Sequence, residues 1–396
     1  MLTDLSFYLA KNGFKVSIIT GRKTYGSNKN SLLKYEDINN VNVFRMQSFT
    51  LGGKTLFGRF LDYISLEISM LIGIYNHTKN GDIVIMMTDP PLLNAIASSL
   101  INKRGGLIVN WLQDLFPEVA VRAGLFSHSS ILNKALTNFR NKALHRANKN
   151  VVIGSSMSSY LINLGINTNK IISISNWADG NKIKPITNKE NYIREKWGLV
   201  DKFVVGYSGN LGQAHDVSTI LKAIDKLQYE NHIRFLFIGG GIGMEIIKKF
   251  SQDKQLKNVI FKPYQPQNLL YLSLSSIDVH WITLLPRMES FILPSKIYGI
   301  LAVAKPIIFI GHKNGEIAKI ISKIDCGETV EIGDSNKLIE ILLKFSKDIK
   351  LLNEMGQRGR LEFNQSYDFD LSAKKFSHLF NDLLISVNAK NSINKS

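Results

Sequence analysis

Short apolar runs alternate with segments of helical periodicity along the whole chain, and this alternation constrains the fold more than any other feature. In the first half, Ile131–Ala147 is an example of the helical segments, with Leu132, Leu136, Phe139 and Ala143 on one face. The strand-like runs there are Lys15–Thr20, Val41–Met46, Ile83–Thr88, Leu107–Leu112, Asn150–Ile153 and Ile171–Ile174. Strands separated by helices are typical of parallel sheets with crossover connections, so the sequence predicts an α/β fold.

The pattern loosens over residues 176–191 and then restarts. The second set of strand-like runs is Phe203–Ser208, Arg234–Gly239, Val259–Pro263, Val279–Thr283, Pro306–Gly311 and Glu328–Ile332. A chain of 396 residues is also too long for one compact core. We therefore predict two successive doubly wound, Rossmann-like domains, residues 1–178 and 179–366, with a C-terminal helix over residues 367–390 that packs back on the first domain.

The first residues are unusual for such a domain. Leu2, Leu5 and Leu9 have helical spacing, and Asn12-Gly13 is a natural helix end before the first predicted strand. Doubly wound domains normally start with a strand that lies centrally in the sheet. We expect that this first strand and its loop are missing, which would leave two neighbouring sheet edges unpaired. The alternative is a domain that simply starts with a helix.

Charge points to an anionic partner. Lys and Arg number 49 against 32 Asp and Glu, which gives a formal net charge of +17. Such an excess fits nucleic acid, a phosphorylated small molecule or an acidic membrane face. Nucleic acid is disfavoured, because the cations are dispersed and no aromatic–basic recognition motif is visible.

The cysteine count and the hydropathy pattern further restrict the class of protein that the sequence can encode. The single cysteine, Cys326, excludes an internal disulfide framework and indicates a cytoplasmic setting. We expect Cys326 to be a buried or half-buried residue. Leu61–Tyr75 is apolar, but it is too short to span a bilayer and carries Asp62 and Glu67, so it is predicted as a buried or half-buried helix. No Asp-x-Asp or His-rich cluster accompanies the motifs below, and we expect neither a metal nor a cofactor.

A glycine-rich turn in the second half is the first candidate binding feature. The strand of FVVGYSGNLGQAHD, residues 203–216, leads into Gly209, Asn210, Leu211 and Gly212 and then a helix. Backbone amides at such a turn, together with a helix N-terminus, favour a diphosphate. His215 in the same turn could contact phosphate or sugar, or could merely start the helix.

A second glycine cluster, at residues 239–243, fits a tight turn better than a dinucleotide fingerprint. The G-x-G-x-x-G spacing fails because residue 244 is Met.

A third segment, residues 287–311, places charged groups at a helix start. Pro294 and Ser295 precede Lys296, which opens a helical run to Ala304, and Glu289 lies a few residues upstream. A hydroxyl and an ammonium at the electropositive helix end suit a diphosphate, and a nearby carboxylate suits sugar hydroxyls. Alone, each of these residues could equally be a solvated loop charge.

Together these motifs resemble a known family. GYSGNLG, PYQP (263–266), the PSKIYGILA run and GEI (315–317) are similar to the C-terminal domain of family 4 retaining glycosyltransferases of the GT-B fold. In the first half, the segments LSFYLAKNGFKVSIIT, TDPPL, NWLQDLFPE and SNWAD resemble the branch that makes bacterial O-antigen, capsule and colanic acid, including L-fucosamine transferases.

The resemblance implies roles for individual residues. Gly209 to Gly212, Ser295 and Lys296 would hold the donor diphosphate, and Glu289 would touch the donor sugar. The family's usual second glutamate is Ile297 here, and the glutamate of its PSK-x-Y-E form is Gly299. The ribose contact is therefore unassigned, and Glu316 is a candidate because it starts a helix.

The resemblance also implies an activity, the transfer of a hexose-type sugar from a nucleotide-diphosphate sugar to a saccharide linked to undecaprenyl diphosphate. The anomeric configuration would be retained, and the two domains would face a cleft. Asp114, after a strand of the first domain, would orient the acceptor hydroxyl or merely cap a turn. The basic amphipathic segment Ile131–Lys149 would contact an acidic inner membrane surface or be an ordinary domain helix. The alternatives are a nucleotide-sugar epimerase of the same fold and a truncated, inactive relative.

Overall fold

The computed structural model describes residues 1–23, 32–49, 56–122, 124, 127 and 130–393. The chain divides into two compact units. The first comprises residues 1–174 and the described part of 373–396, and the second comprises residues 175–372.

The first unit contains seven strands among its described residues. They are β1 (Val16–Gly21), β2 (Tyr35–Ile38), β3 (Val41–Met46), β4 (Ile83–Met87), β5 (Leu107–Leu112), β6 (Lys149–Val152) and β7 (Ile171–Ser173). Its helices are α1 (Leu2–Lys11), α2 (Leu56–His77), α3 (Leu93–Lys103), α4 (Glu118–Arg122), α5 (Ile131–Arg146) and α6 (Ser155–Asn163).

These strands form two sheets. One has the order β1-β3-β2 and the other has the order β4-β5-β6-β7. Within the described residues, β1 pairs only with β3 and β4 pairs only with β5. Both are half-exposed along most of their length, whereas β5 is buried from Ile108 onward. Strands β1 and β4 are therefore edge strands among the described residues, as are β2 and β7 at the other ends of the two sheets. Strand β2 is antiparallel to β3 and was not predicted.

Helix α5 is rotated from the predicted apolar face, of which only Ala143 is buried and Leu136 half-buried. Leu132 and Phe139 are exposed, while Asn133, Arg140 and Leu144 are buried. Arg140 can face inward because its guanidinium pairs with the Glu118 carboxylate, which compensates the buried charge. The segment predicted as a buried or half-buried helix, Leu61–Tyr75, lies in α2, which also carries strongly exposed apolar residues. No helix among the described residues is long and apolar enough to cross a bilayer.

The second unit contains one parallel sheet of six strands. They are β8 (Phe203–Asn210), β9 (Ile233–Gly240), β10 (Val259–Lys262), β11 (Val279–Thr283), β12 (Ile307–Ile310) and β13 (Gly327–Val330), in the order β10-β9-β8-β11-β12-β13. Its helices are α7 (Tyr192–Lys196), α8 (Ser218–Lys226), α9 (Ile242–Asp253), α10 (Leu270–Ser275), α11 (Lys296–Ala302), α12 (Glu316–Ile324), α13 (Ser335–Phe345) and α14 (Ile349–Glu362). Helix α15 (Phe369–Ile393) starts in this unit and continues into the first.

The second unit buries its strands on both faces, as parallel sheets with crossover helices do. Tyr207, Phe237, Trp281 and Phe309 are among its largest buried side chains, and Cys326 is fully buried, as predicted. The predicted α/β class with parallel sheets is confirmed. Strands β3, β5 and β11 have the predicted bounds, and the other predicted strands differ by one or two residues at their ends.

Candidate functional site

The candidate residues of the second unit lie at the point where the strand order reverses. The chain builds the sheet from β8 outward to β10 and then resumes on the other side of β8 with β11. In open parallel sheets this switch point leaves a crevice at the carboxyl ends of the strands, where ligands bind. Strand β8 ends with Gly209 and Asn210, and Leu211, Gly212 and His215 come after it. The loop after β11 carries Glu289, Ser295 and Lys296, and β12 is followed by Glu316.

The glycine turn at the end of β8 is held by the loop after β9. Gly209 has a φ of +132°, which favours glycine. A Cβ at Gly239 would lie 2.3 Å from the Gly209 carbonyl oxygen, and one at Gly241 would lie 2.4 Å from Asn210 Oδ1. The second glycine cluster thus allows close approach of two backbones, which agrees with its interpretation as a tight turn.

Lys296 places its ammonium beside this turn. Its Nζ donates to the Tyr207 hydroxyl and lies 3.7 Å from the centroid of the same ring. The Tyr207 hydroxyl in turn donates to the Asn210 carbonyl oxygen at 2.8 Å. A Cβ at Gly209 would be 3.7 Å from Nζ, so the lysine and the glycine turn share one small space. Ser295, the N-cap residue of α11, is exposed next to it.

Burial lowers the pKa of Lys296 to about 7. A lysine amine with this pKa is only partly protonated at neutral pH, and a nearby anion would favour its charged ammonium form. The side chain is therefore suited to gain full charge when a diphosphate binds.

His215 is neutral in this surrounding. Its Nδ1 is 2.6 Å from the Thr283 carbonyl oxygen, so Nδ1 carries the proton and donates. Burial, with the Lys296 charge as the second cause, lowers the pKa of His215 to about 4. A neutral imidazole with a free Nε2 acceptor is better matched to a sugar hydroxyl than to a phosphate.

Glu289 lies at the start of α12. Its Oε1 accepts from the His312 backbone N–H at 3.1 Å, and a Cβ at Gly315 would come within 1.8 Å of Oε2. The carboxylate thus occupies the N-terminus of α12, next to Glu316 in the first turn. Burial raises the pKa of Glu289. Glu289 belongs to the loop between β11 and α11, which also leads to Lys296, and its carboxylate reaches the start of α12. Glu316 follows Gly315 in the chain, but the electrostatic neighbours of its carboxylate are Tyr298 and Tyr367.

Asp114 belongs to the first unit, where it follows β5. It is half-buried and shares a hydrogen bond with the Thr88 side chain at the end of β4. Burial raises its pKa, and neighbouring Asp89 adds to the effect. Asp114 therefore lies at the carboxyl edge of the parallel strands, as expected, with a partner on the adjacent strand.

Two tyrosines were missed by the sequence reasoning. Tyr207 lies in the strand that leads into the glycine turn, where the sequence shows only an apolar run. Tyr264, exposed after β10, lies against Gly239 and Gly240. The PYQP motif of the resemblance, at residues 263–266, is the signal in the sequence for Tyr264. Among the described residues, no group of His, Cys, Asp and Glu side chains could hold a metal ion.

Comparisons with known proteins agree with this arrangement. Residues 189–362 match the family model described as Glycosyl transferases group 1. WbjE of Pseudomonas aeruginosa, a glycosyltransferase by name, is 26% identical over 329 residues, which is 83% of this chain and 82% of WbjE. WcaI of Escherichia coli (strain K12), named as a colanic acid biosynthesis glycosyl transferase, is 24% identical over 323 residues, 79% of each chain.

Solved structures show the same fold. Sucrose-phosphate synthase from Thermosynechococcus elongatus matches 97% of this chain and 93% of its own, with a TM-score of 0.77 and 14% identity. HepE of Anabaena in complex with UDP-glucose matches 87% of each chain, with a TM-score of 0.67 and 14% identity. Residues 189–362 thus resemble a group 1 glycosyl transferase domain, and the chain has the GT-B fold.

The close packing of the two glycine loops predicts that Gly241→Ala destabilises the second unit. The new methyl group would meet Asn210 Oδ1 and the Leu211 carbonyl oxygen, in addition to the strain of a φ of +112°. Gly333→Ala is the matched control, because Gly333 has a φ of +92° but open space around it. We expect thermal unfolding to show a loss about 1–3 kcal/mol greater for Gly241→Ala. Equal losses would mean that the loops do not pack as described.

Proposed function

We propose that the chain transfers a hexose-type sugar from a nucleotide-diphosphate donor to a saccharide carried on undecaprenyl diphosphate, with retention, in the synthesis of a bacterial surface polysaccharide such as O-antigen, capsule or exopolysaccharide. The glycosyl transferase domain and the two bacterial relatives support the reaction class. The lipid-linked acceptor and the retention come from the family resemblance.

The observation that carries the proposal is the Lys296 ammonium beside the Gly209–Gly212 turn. When the sugar departs, negative charge develops on the leaving diphosphate. Fixed backbone amides and a lysine that becomes fully charged stabilise such an anion more than they stabilise the intact donor. Tyr207 keeps the ammonium at the end of β8, so little reorganisation is needed during the reaction.

Other residues have supporting roles in the proposal. His215 Nε2 accepts from a hydroxyl of the donor sugar. Glu289 contacts the donor sugar, and Glu316, in the first turn of α12, accepts from the ribose hydroxyls. Asp114, in the first unit, orients the acceptor hydroxyl. The reaction as proposed uses no metal and no cofactor.

The donor is identified by a thermal-shift panel of UDP-, GDP-, dTDP- and ADP-sugars. The Anabaena structure contains UDP-glucose, so we expect the UDP-sugars to give the largest response. A ligand at a hundred times its Kd stabilises by about 2.7 kcal/mol. For a unit of this size, that corresponds to a rise in Tm of roughly 5–10 °C. No response to any sugar nucleotide would contradict the proposal.

The pKa of Lys296 makes donor binding depend on pH. The donor binds best to the ammonium form, which is present below the pKa of about 7 and is lost as the pH rises. We expect the Kd of the best donor in the panel to rise roughly tenfold per pH unit above neutrality. In Lys296→Arg the cation persists, so the profile should be flat between pH 6 and pH 9. An unchanged profile in that variant would remove Lys296 from the binding site.

Turnover is tested with the donor and a lipid-diphosphate saccharide. Lys296→Ala should lower kcat/KM by about 100-fold or more, because it removes the charge opposite the leaving group. Cys326→Ala, a buried position away from the glycine turn, should stay within about threefold of the parent rate. Release of diphosphate from the donor without any acceptor would instead favour the epimerase.

A further inference from the structure

Three helices of the first unit meet at the carboxylate of Glu118. This residue starts α4, and its Oε1 accepts from the Arg140 guanidinium of α5. The same oxygen accepts from the Tyr160 hydroxyl of α6 at 2.6 Å. One carboxylate oxygen thus joins the start of α4 to two helices that come later in the chain.

The three groups are largely removed from water. The Arg140 and Glu118 side chains are 4% and 13% exposed, and Tyr160 is half-buried. Burial, with the hydrogen bond to Glu118 as the second cause, raises the pKa of Tyr160 to about 12. The hydroxyl therefore keeps its proton near neutral pH and remains a donor to the carboxylate.

Burial of Arg140 has a cost for α5. Because the guanidinium faces inward, Leu132 and Phe139 of the same helix remain 54% and 39% exposed. Apolar residues of similar volume usually stabilise a fold at least as well as a buried ion pair does. Positions where a chain departs from its apolar pattern are often functional, so the Arg140–Glu118 pair points to a role beyond folding stability.

Glu118 ends the short segment that contains Asp114. The two residues lie four positions apart in the connection between β5 and α4. Leu115, between them, is buried, and its carbonyl oxygen accepts from the Val119 backbone N–H at 2.9 Å. The segment is therefore joined to the first turn of α4 and held in place with it.

The position of Asp114 depends on both ends of this segment. At one end, the Asp114 carboxylate shares a hydrogen bond with the Thr88 side chain, which follows β4. At the other end, Glu118 is fixed by Arg140 and Tyr160. A displacement of about 1 Å at a reacting group can lower a rate about 100-fold, so the second anchor matters for any reaction that uses Asp114.

We infer that Glu118 is a positioning residue, which Arg140 and Tyr160 hold so that the Asp114 carboxylate stays in place to orient the acceptor hydroxyl. The inference rests on the proposed function, in which Asp114 has this role. Glu118 acts through Asp114 and not by contact with a substrate. The donor site lies in the second unit, so donor binding does not depend on this network.

Steady-state turnover and donor binding of the full chain test the inference. Glu118→Gln keeps the shape of the side chain and removes its charge, and should lower kcat roughly 10–100-fold with little change in the acceptor KM. Tyr160→Phe should lower kcat about three- to tenfold, because the Arg140 contact remains. The Kd of the best donor in the thermal-shift panel should stay within about twofold in both variants.

Matched controls lie in the β2–β3 pair of the same unit. Glu36 pairs with Arg45, and the Tyr35 hydroxyl donates to Asn42 Oδ1 at 2.7 Å. Glu36→Gln and Tyr35→Phe therefore make the same chemical changes away from the Asp114 segment, and their kcat should stay within about twofold of the parent value. Losses in the controls as large as those in the test variants would overturn the inference.

A double-mutant cycle tests whether Glu118 acts through Asp114. Asp114→Asn alone should lower kcat about 100-fold. If Glu118 only positions Asp114, adding Glu118→Gln to Asp114→Asn should lower kcat by less than about twofold more. A full additional loss would overturn the inference. So would a parent-like kcat in Asp114→Asn, which would leave the donor site and Lys296 unaffected.

Hydrogen exchange tests the same anchor without turnover. In Glu118→Gln and Tyr160→Phe, the Val119 N–H should exchange about fivefold or more faster than in the parent and the controls. Unchanged exchange would overturn the inference. Tyr160→Phe keeps the ion pair and still gives both measurements if Glu118→Gln does not fold. A parent chain that binds sugar nucleotides but transfers no sugar would refute the proposed function, whereas faster exchange at Val119 would still support Glu118 as the anchor of the Asp114 segment.

Discussion

A lysine ammonium held against a tyrosine ring at the end of a central strand is the interaction on which the candidate site depends. Lys296 would be solvated if it stood on an open loop, and its pKa would be ordinary. The second unit instead brings it beside the Gly209 turn and partly removes it from water. Three features create that position: the reversal of strand order at β8, the close approach of two glycine loops, and the start of α11. Together they bring the backbone of the glycine turn and the ammonium close to each other, an arrangement that suits an anion.

The polar groups of the candidate site have different roles. His215 is kept neutral by burial and by the lysine charge, so its Nε2 accepts a hydrogen bond and does not donate one to an anion near neutral pH. Glu289 is engaged by the start of α12, which keeps its carboxylate in one place. The site therefore combines one adjustable charge with fixed hydrogen-bonding groups, a combination suited to a charged leaving group attached to a neutral sugar.

The net charge of +17 is not explained by this site alone. A share of the cations lies on α3 and α5 of the first unit, beside apolar side chains and without exposed acids on these helices.

The amino-acid sequence by itself determined the strands, the two-unit organisation of the pattern and the glycine turn, because strand periodicity and glycine conformation are local properties. It also placed Lys296 at a helix start and Asp114 after a strand. Only the tertiary structure decided which face of α5 is buried, since the Arg140–Glu118 pair is non-local and overrides the apolar pattern. It also decided that Tyr207 holds Lys296, and that β2 pairs antiparallel with β3. The Arg140–Glu118 and Tyr207–Lys296 contacts join segments far apart in the chain, and no local pattern records them. The β2–β3 hairpin is local by contrast, since Asn39 and Asn40, both with positive φ, form its two-residue turn.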